Sequence, residues 1–218
     1  MMDVENQAIH PCDRLHKLFC SMQRYEWNDI SQIPFANGIY IIFEKGEKYH
    51  NMERIVYVGT HTSSGRLKKR LLEHFVRENH DGSILRKNVG KAILHSSGDA
   101  YLAIWTIDTS KPENRILMNR AKNAETERKV SQYLQDNFSF TVVPIIDKGE
   151  RLRMKEAIIA ALNADATFAP GASWLGLFSP EAEIRESGLW LKRGLNEEPI
   201  MESEFNKLLE WCLPQSTQ

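Results

Sequence analysis

Hydrophobic and polar positions along this chain fall into two rhythms. From His10 to Tyr25, Leu15, Leu18 and Phe19 recur at helical spacing and predict an amphipathic helix. After Pro34 the rhythm changes: GIYIIFE, starting at Gly38, is a β-rich run of the kind that forms a central strand. RIVYVGT, starting at Arg54, predicts the returning strand, antiparallel to the first because so little chain joins them. The polar, glycine-bearing stretch from Lys45 to Arg54 predicts a hairpin loop longer than a tight turn. The helical period returns in RLKKRLLEHFVRE, starting at Arg66. Leu67, Leu71 and Phe75 lie four apart as the buried stripe, widened by Leu72 and Val76. The same arithmetic sends Arg66, Arg70 and His74 to an adjacent stripe, with Arg77 close by.

Further along, SILRKNVGKAIL predicts a short helix, AYLAIWTI a strand, and Pro112 to Asn137 one long charged helix. FSFTVVPII predicts another strand and GERLRMKEAIIAALN a helix with Leu152, Ile158, Ile159 and Leu162 apolar. Beyond Ala164 the pattern weakens into proline, glycine and tryptophan, until Glu202 to Cys212 predicts a last amphipathic helix. Trp174, Trp190 and Trp211 read as a packing cap. The sum is an α/β (α+β) chain with a small antiparallel sheet flanked by helices.

Composition adds two constraints. No run is apolar enough to cross a bilayer, and the three scattered cysteines lack metal-ligand spacing, so a reduced, cytoplasmic setting is expected. The net charge is only −1, but its distribution is uneven. Arg54 to Lys91 carries nine Lys/Arg against three acids, while Glu181 to the end carries four basic residues against eight acids. A basic patch on a neutral chain suits a phosphate-binding face.

Gly38-Ile39-Tyr40, then Tyr57-Val58-Gly59, then Arg70 and His74 four apart on a helix together resemble the GIY-YIG nuclease superfamily. The first tripeptide matches its hallmark to the letter and the second has valine for isoleucine. The resemblance implies a three-stranded antiparallel core with helices around it, spanning 33–176, after an N-terminal helical segment 1–32 and before an extension 177–218. It implies an endonuclease that hydrolyses DNA phosphodiester bonds with one divalent cation, Mg²⁺ or Mn²⁺. Tyr40 is then the expected general base and Tyr57 the group that positions water or phosphate, although the order of the two phenols stays open. Nearby cations should lower a phenol's pKa from its usual value near 10. Arg70 offers a planar fork to the phosphate, and His74 lies one turn further on. Glu156, in a segment resembling the family's glutamate helix, is the expected metal ligand, with Glu127 as its rival. Ser173 stands where an amide is often found, and Asn163 comes too early for that place.

Arg66, Lys68, Lys69 and Arg86 are expected to contact DNA phosphates, with base recognition from the hairpin loop at 44–53 or from residues 112–137. A restriction or defence role is the first expectation, working as a homodimer so that both strands are cut. The alternatives are a repair or structure-specific nuclease, or a non-catalytic nucleic-acid-binding domain of the same fold.

Overall fold

The computed structural model describes residues 10–213; the remainder of the expected flanking segments, 1–9 and 214–218, lies outside the described residues. The apolar run after Gly38 becomes β1 (Ile39–Tyr49), flanked by β2 (Met52–Gly59) and β3 (Phe138–Val143) in the order β2-β1-β3. Both pairings are antiparallel. β1 is central, and Ile39 to Phe43 are all buried, which is why the run is apolar without alternation.

The hairpin differs from expectation. Instead of a long loop, β1 and β2 continue past two irregularities to a tight turn, with Tyr49 facing Met52 and His50 at a positive φ of 51°. Three of the hairpin's polar residues, Glu44, Glu47 and Arg54, are buried. Arg54 is fully buried and donates to Glu47 at 3.0 Å and to the Gly188 carbonyl. Glu44 accepts from the indoles of Trp174 and Trp190 at 2.8 and 2.9 Å, and from the Tyr133 hydroxyl. Glu44, Glu47 and Arg54 therefore anchor the chain's own C-terminal segment, while Lys45, Lys48, His50, Asn51 and Glu53 stay exposed on a paired hairpin.

The helix α1 (Pro11–Ser21) buries Cys12, Leu15 and Phe19. The helix α2 (Leu67–Phe75) buries Leu67, Leu71 and Phe75, the stripe its sequence predicts. Ser83 caps α3 (Ile84–Ser96) by accepting from the Arg86 amide. AYLAIWTI is no strand but contains α4 (Leu102–Thr106). Its turn is started by the Asp99 side chain, which accepts from the Tyr101 amide at 2.9 Å. Trp105 then stacks on His80 at 3.8 Å between ring centroids and lies against Gly90 of α3.

The expected helix from Pro112 to Asn137 is broken into α5 (Pro112–Arg115) and α6 (Arg120–Asn137), because the Asn119 side chain caps a fresh start. Asp147 caps α7 (Lys148–Asn163), and α8 (Ala182–Ser187) and α9 (Glu202–Cys212) follow. The C-terminal segment enters the same core: Trp174 and Trp190 are buried, and the Trp190 amide donates to the Val56 carbonyl of β2 at 2.8 Å. No helix among the described residues is long and apolar enough to cross a membrane.

Candidate active site

Each of the two motif glycines has a steric reason. A Cβ at Gly38 would run into the Val143 carbonyl of β3, and a Cβ at Gly59 would fall inside the Tyr40 phenol ring. Tyr40 and Gly59 face each other in the β1–β2 register, and Tyr57 faces Ile42. Tyr40 and Tyr57 are thus diagonal neighbours on one face, with ring centroids 6.3 Å apart.

α2 crosses this face with Arg70, Glu73 and His74. The Tyr40 hydroxyl lies 2.7 Å from His74 Nε2, and Ser83 Oγ lies 2.6 Å from His74 Nδ1. Arg70 donates to Glu73 at 3.1 Å and to the Gly82 carbonyl at 2.7 Å, and Arg66 donates to the other Glu73 oxygen at 2.7 Å. Glu73 therefore holds two arginines side by side.

A cavity of about 830 Å³ opens beside them. Tyr57, His61, Arg66, Arg70 and Glu73 line one wall; Leu152, Lys155 and Ile159 of α7, with Lys192 and Arg193, line the other. Of the residues expected at the site, Tyr57, Arg66 and Arg70 line the cavity. Tyr40 and His74 are fully buried behind that wall. The expected order of the phenols thus shifts, with Tyr57 at the cavity and Tyr40 in the layer beneath.

The expectation of a lowered phenol pKa is overturned. Burial pushes both Tyr40 and Tyr57 above the ordinary value of 10, and the Arg70 charge opposes this without overcoming it. Both are neutral phenols at neutral pH. His74 moves the other way: burial, with the charges of Arg70 and Arg86, holds it well below 6.5, so its ring is neutral.

Other expected residues lie elsewhere. Arg86 is fully buried, bound to Glu127 at 2.6 and 3.0 Å and to the His74 carbonyl at 3.0 Å, so it cannot contact DNA. Glu127 is occupied by Arg86 and by His80, and is no open metal ligand. Lys68 donates to the Ser31 carbonyl at 2.9 Å, and Lys69 is exposed; neither lines the cavity. Ser173 is exposed outside it as well.

Glu156 stands at the edge of the cavity. The α7 face turned to the cavity runs Leu152, Lys155, Ile159, and Glu156 lies beside it, 3.8 Å from the Lys155 ammonium. The expected divalent cation can be tested against this donor set. The described residues contain no group of three or more His, Cys, Asp or Glu placed to hold a metal. The one carboxylate on the cavity wall, Glu73, has both oxygens engaged by arginines. Five cationic side chains share the lining, and Glu156, beside it, is the carboxylate that a one-glutamate cation site would use. Glu73, Lys155, Lys192 and Arg193 were not singled out from sequence, and His61, which lacks ligand spacing, reads there as background. Lys155 carried a signal in its i+3 and i−4 spacing from Leu152 and Ile159, and Glu73 in its i+3 spacing from Arg70.

A three-stranded antiparallel sheet with two phenols, an arginine-bearing helix and a cationic cavity define a small α/β nuclease-type domain. The chain belongs to the GIY-YIG nuclease superfamily: the model of the GIY-YIG domain matches residues 13–217. No curated relative and no solved structure matches it.

Proposed function

We propose that this chain is an endonuclease that hydrolyses DNA phosphodiester bonds in the cavity beside Tyr57 and Arg70. The observation that carries the reading is convergence. Tyr57 and an arginine pair meet at one strongly cationic cavity, with the second phenol, Tyr40, and a neutral histidine packed in the layer beneath.

The parts divide the work in a physically consistent way. Arg66 and Arg70, both held by Glu73, offer donors to the non-bridging phosphate oxygens and stabilise the charge that grows in the transition state. Tyr57 reaches the cavity wall and hydrogen-bonds the attacking water. Tyr40 lies next to it, with ring centroids 6.3 Å apart, and its hydroxyl contacts His74. The proton can then pass from water through the phenols to His74, the one neutral base in contact with them. Because the phenols stay protonated, they work as relays and not as phenolates.

A restriction or defence role is the use of this chemistry we put forward, on the resemblance to stand-alone members of the superfamily. Incubation with supercoiled plasmid tests the reaction. Nicked and linear products ending in 5′-phosphate and 3′-hydroxyl support it, and fixed cut positions support the restriction role. Plasmid that is bound but stays supercoiled makes the domain a binder, and cleavage confined to branched or damaged DNA makes it a repair enzyme.

A further inference from the structure

Beside Arg70 the surface continues as a track through two smaller depressions, of about 340 and 500 Å³. The first shares Arg66, Arg70 and Glu73 with the large cavity and adds Arg77, which is only loosely tied, 4.0 Å from Glu73. The second shares Asn79 and Gly82 with the first and reaches Arg115 and Met118. At its far end stands the connection between α5 and α6, where Ile116 is 85% exposed and Leu117 55% exposed. Lys111, Arg115 and Arg120 are exposed around this aliphatic pair, with Glu113 the acid of that stretch. Apolar side chains at a tip surrounded by cations complement a stacked polyanion.

The tip is braced, and its place relative to Arg70 is set. The Leu117 amide donates to the Asn114 carbonyl at 3.0 Å, and the Asn114 side chain to the Asp108 carbonyl at 2.8 Å. Asp81 ties the base of the connection by accepting from the Thr109 amide at 2.9 Å and from its hydroxyl at 2.6 Å. The next residue, Gly82, is the one whose carbonyl accepts from Arg70 at 2.7 Å. One short segment therefore fixes both the arginine and the tip.

We propose that Ile116 and Leu117 form a wedge that enters the stacked bases of duplex DNA beside the cut, while Arg77 and Arg115 hold phosphates between the wedge and Arg70. This rests on the reading of the cavity as the cleavage site. Such a wedge exchanges base stacking for contact with aliphatic side chains and bends the duplex, here along the track toward Arg70. Steps that unstack easily, pyrimidine–purine steps above all, are then the favoured places to cut.

Relaxation of a closed plasmid by a metal-independent topoisomerase in EDTA tests the wedge, using the full chain with Arg70→Ala so that DNA is held without being cut. An inserted wedge unwinds DNA, so the deproteinised circles should keep a linking-number deficit that grows with bound protein. Adding Ile116→Ser and Leu117→Ser should shrink that deficit at least about fivefold at equal occupancy. The unfolding midpoint should stay unchanged, since both side chains are exposed. With Arg70 intact and Mg²⁺ present, the same two substitutions should slow cleavage ~10-fold on relaxed plasmid and less on negatively supercoiled plasmid, where underwinding offsets the unstacking. Circles identical with and without bound chain, or a deficit that survives the serines, overturn the wedge; cutting by the unmodified chain then leaves the nuclease reading standing. Serine substitutions that split a dimer and leave the deficit intact make the tip a protein contact and overturn the wedge likewise. Absence of cutting by the unmodified chain overturns the nuclease reading, and with it the placing of a wedge beside a cut.

Discussion

The Tyr40 hydroxyl lies 2.7 Å from His74 Nε2, and the other ring nitrogen of His74 lies 2.6 Å from the hydroxyl of Ser83. Ser83 is also the cap of α3, so the start of that helix fixes the imidazole that the phenol contacts. Removing only the oxygen, as in Tyr40→Phe, keeps the buried ring and interrupts the path to His74. Cleavage should fall by ~100-fold with DNA binding unchanged. Single-turnover cleavage beside a filter-binding titration checks this, and an unaltered rate removes the relay.

Gly59 is fixed by the same phenol. Because a Cβ at 59 would enter the Tyr40 ring, Gly59→Ala must displace Tyr40 from His74. Forced overpacking of this kind costs about 1–3 kcal/mol. Thermal unfolding should show that loss together with a fall in cleavage, whereas a variant as stable and as active as the parent contradicts the close approach.

Arg86 is a structural residue in this account. Arg86→Ala leaves Glu127 buried without its main partner and releases the His74 carbonyl, which should cost about 3–5 kcal/mol in stability. Denaturant titration measures this. A phosphate contact would behave differently: the variant would stay stable and lower the salt dependence of DNA binding.

Stability should depend on pH through His16, which is buried and neutral. Its Nδ1 hydrogen-bonds the Cys12 carbonyl at 2.8 Å, and its Nε2 accepts from the Ile55 amide at 3.2 Å, leaving no place for a second proton. Burial pulls its pKa from 6.5 to about 4, against the opposing bond to Cys12. The unfolded chain therefore binds more protons below 6.5. The stabilisation is complete above that pH and is lost as pH falls toward 4, on the order of 3 kcal/mol in all. His74 and His61, also lowered mainly by burial, act in the same direction. The melting temperature should drop across this window, and His16→Gln should flatten the drop; an equal slope in the variant would contradict it.

Much of the fold was legible where one period dominates. The Leu67, Leu71, Phe75 stripe and the apolar run from Ile39 to Phe43 each have a single reading. AYLAIWTI did not, because a short apolar run suits a strand or a buried helix until Trp105 meets His80 and Gly90. The hairpin was misread because Glu44, Glu47 and Arg54 are polar by type yet buried by partners more than a hundred residues away. Arg86 was misread likewise, since its partner Glu127 comes from another helix. At the site, Tyr57 and Arg70 could be found from motif and period. Placing Lys155 on the cavity wall required the rotation of α7 against the sheet, which the sequence does not state.

The central claim is that the side chains converging on this cavity break a phosphodiester bond, and Arg70→Ala tests it most directly. Arg70 touches the cavity while its contacts within the chain are to partly exposed groups, so the variant should fold. Plasmid cleavage by purified Arg70→Ala, compared with the unmodified chain at matched DNA occupancy, should be slower by roughly 100- to 1,000-fold with the unfolding midpoint nearly unchanged. Equal cleavage by the two proteins would place the chemistry elsewhere and contradict the account.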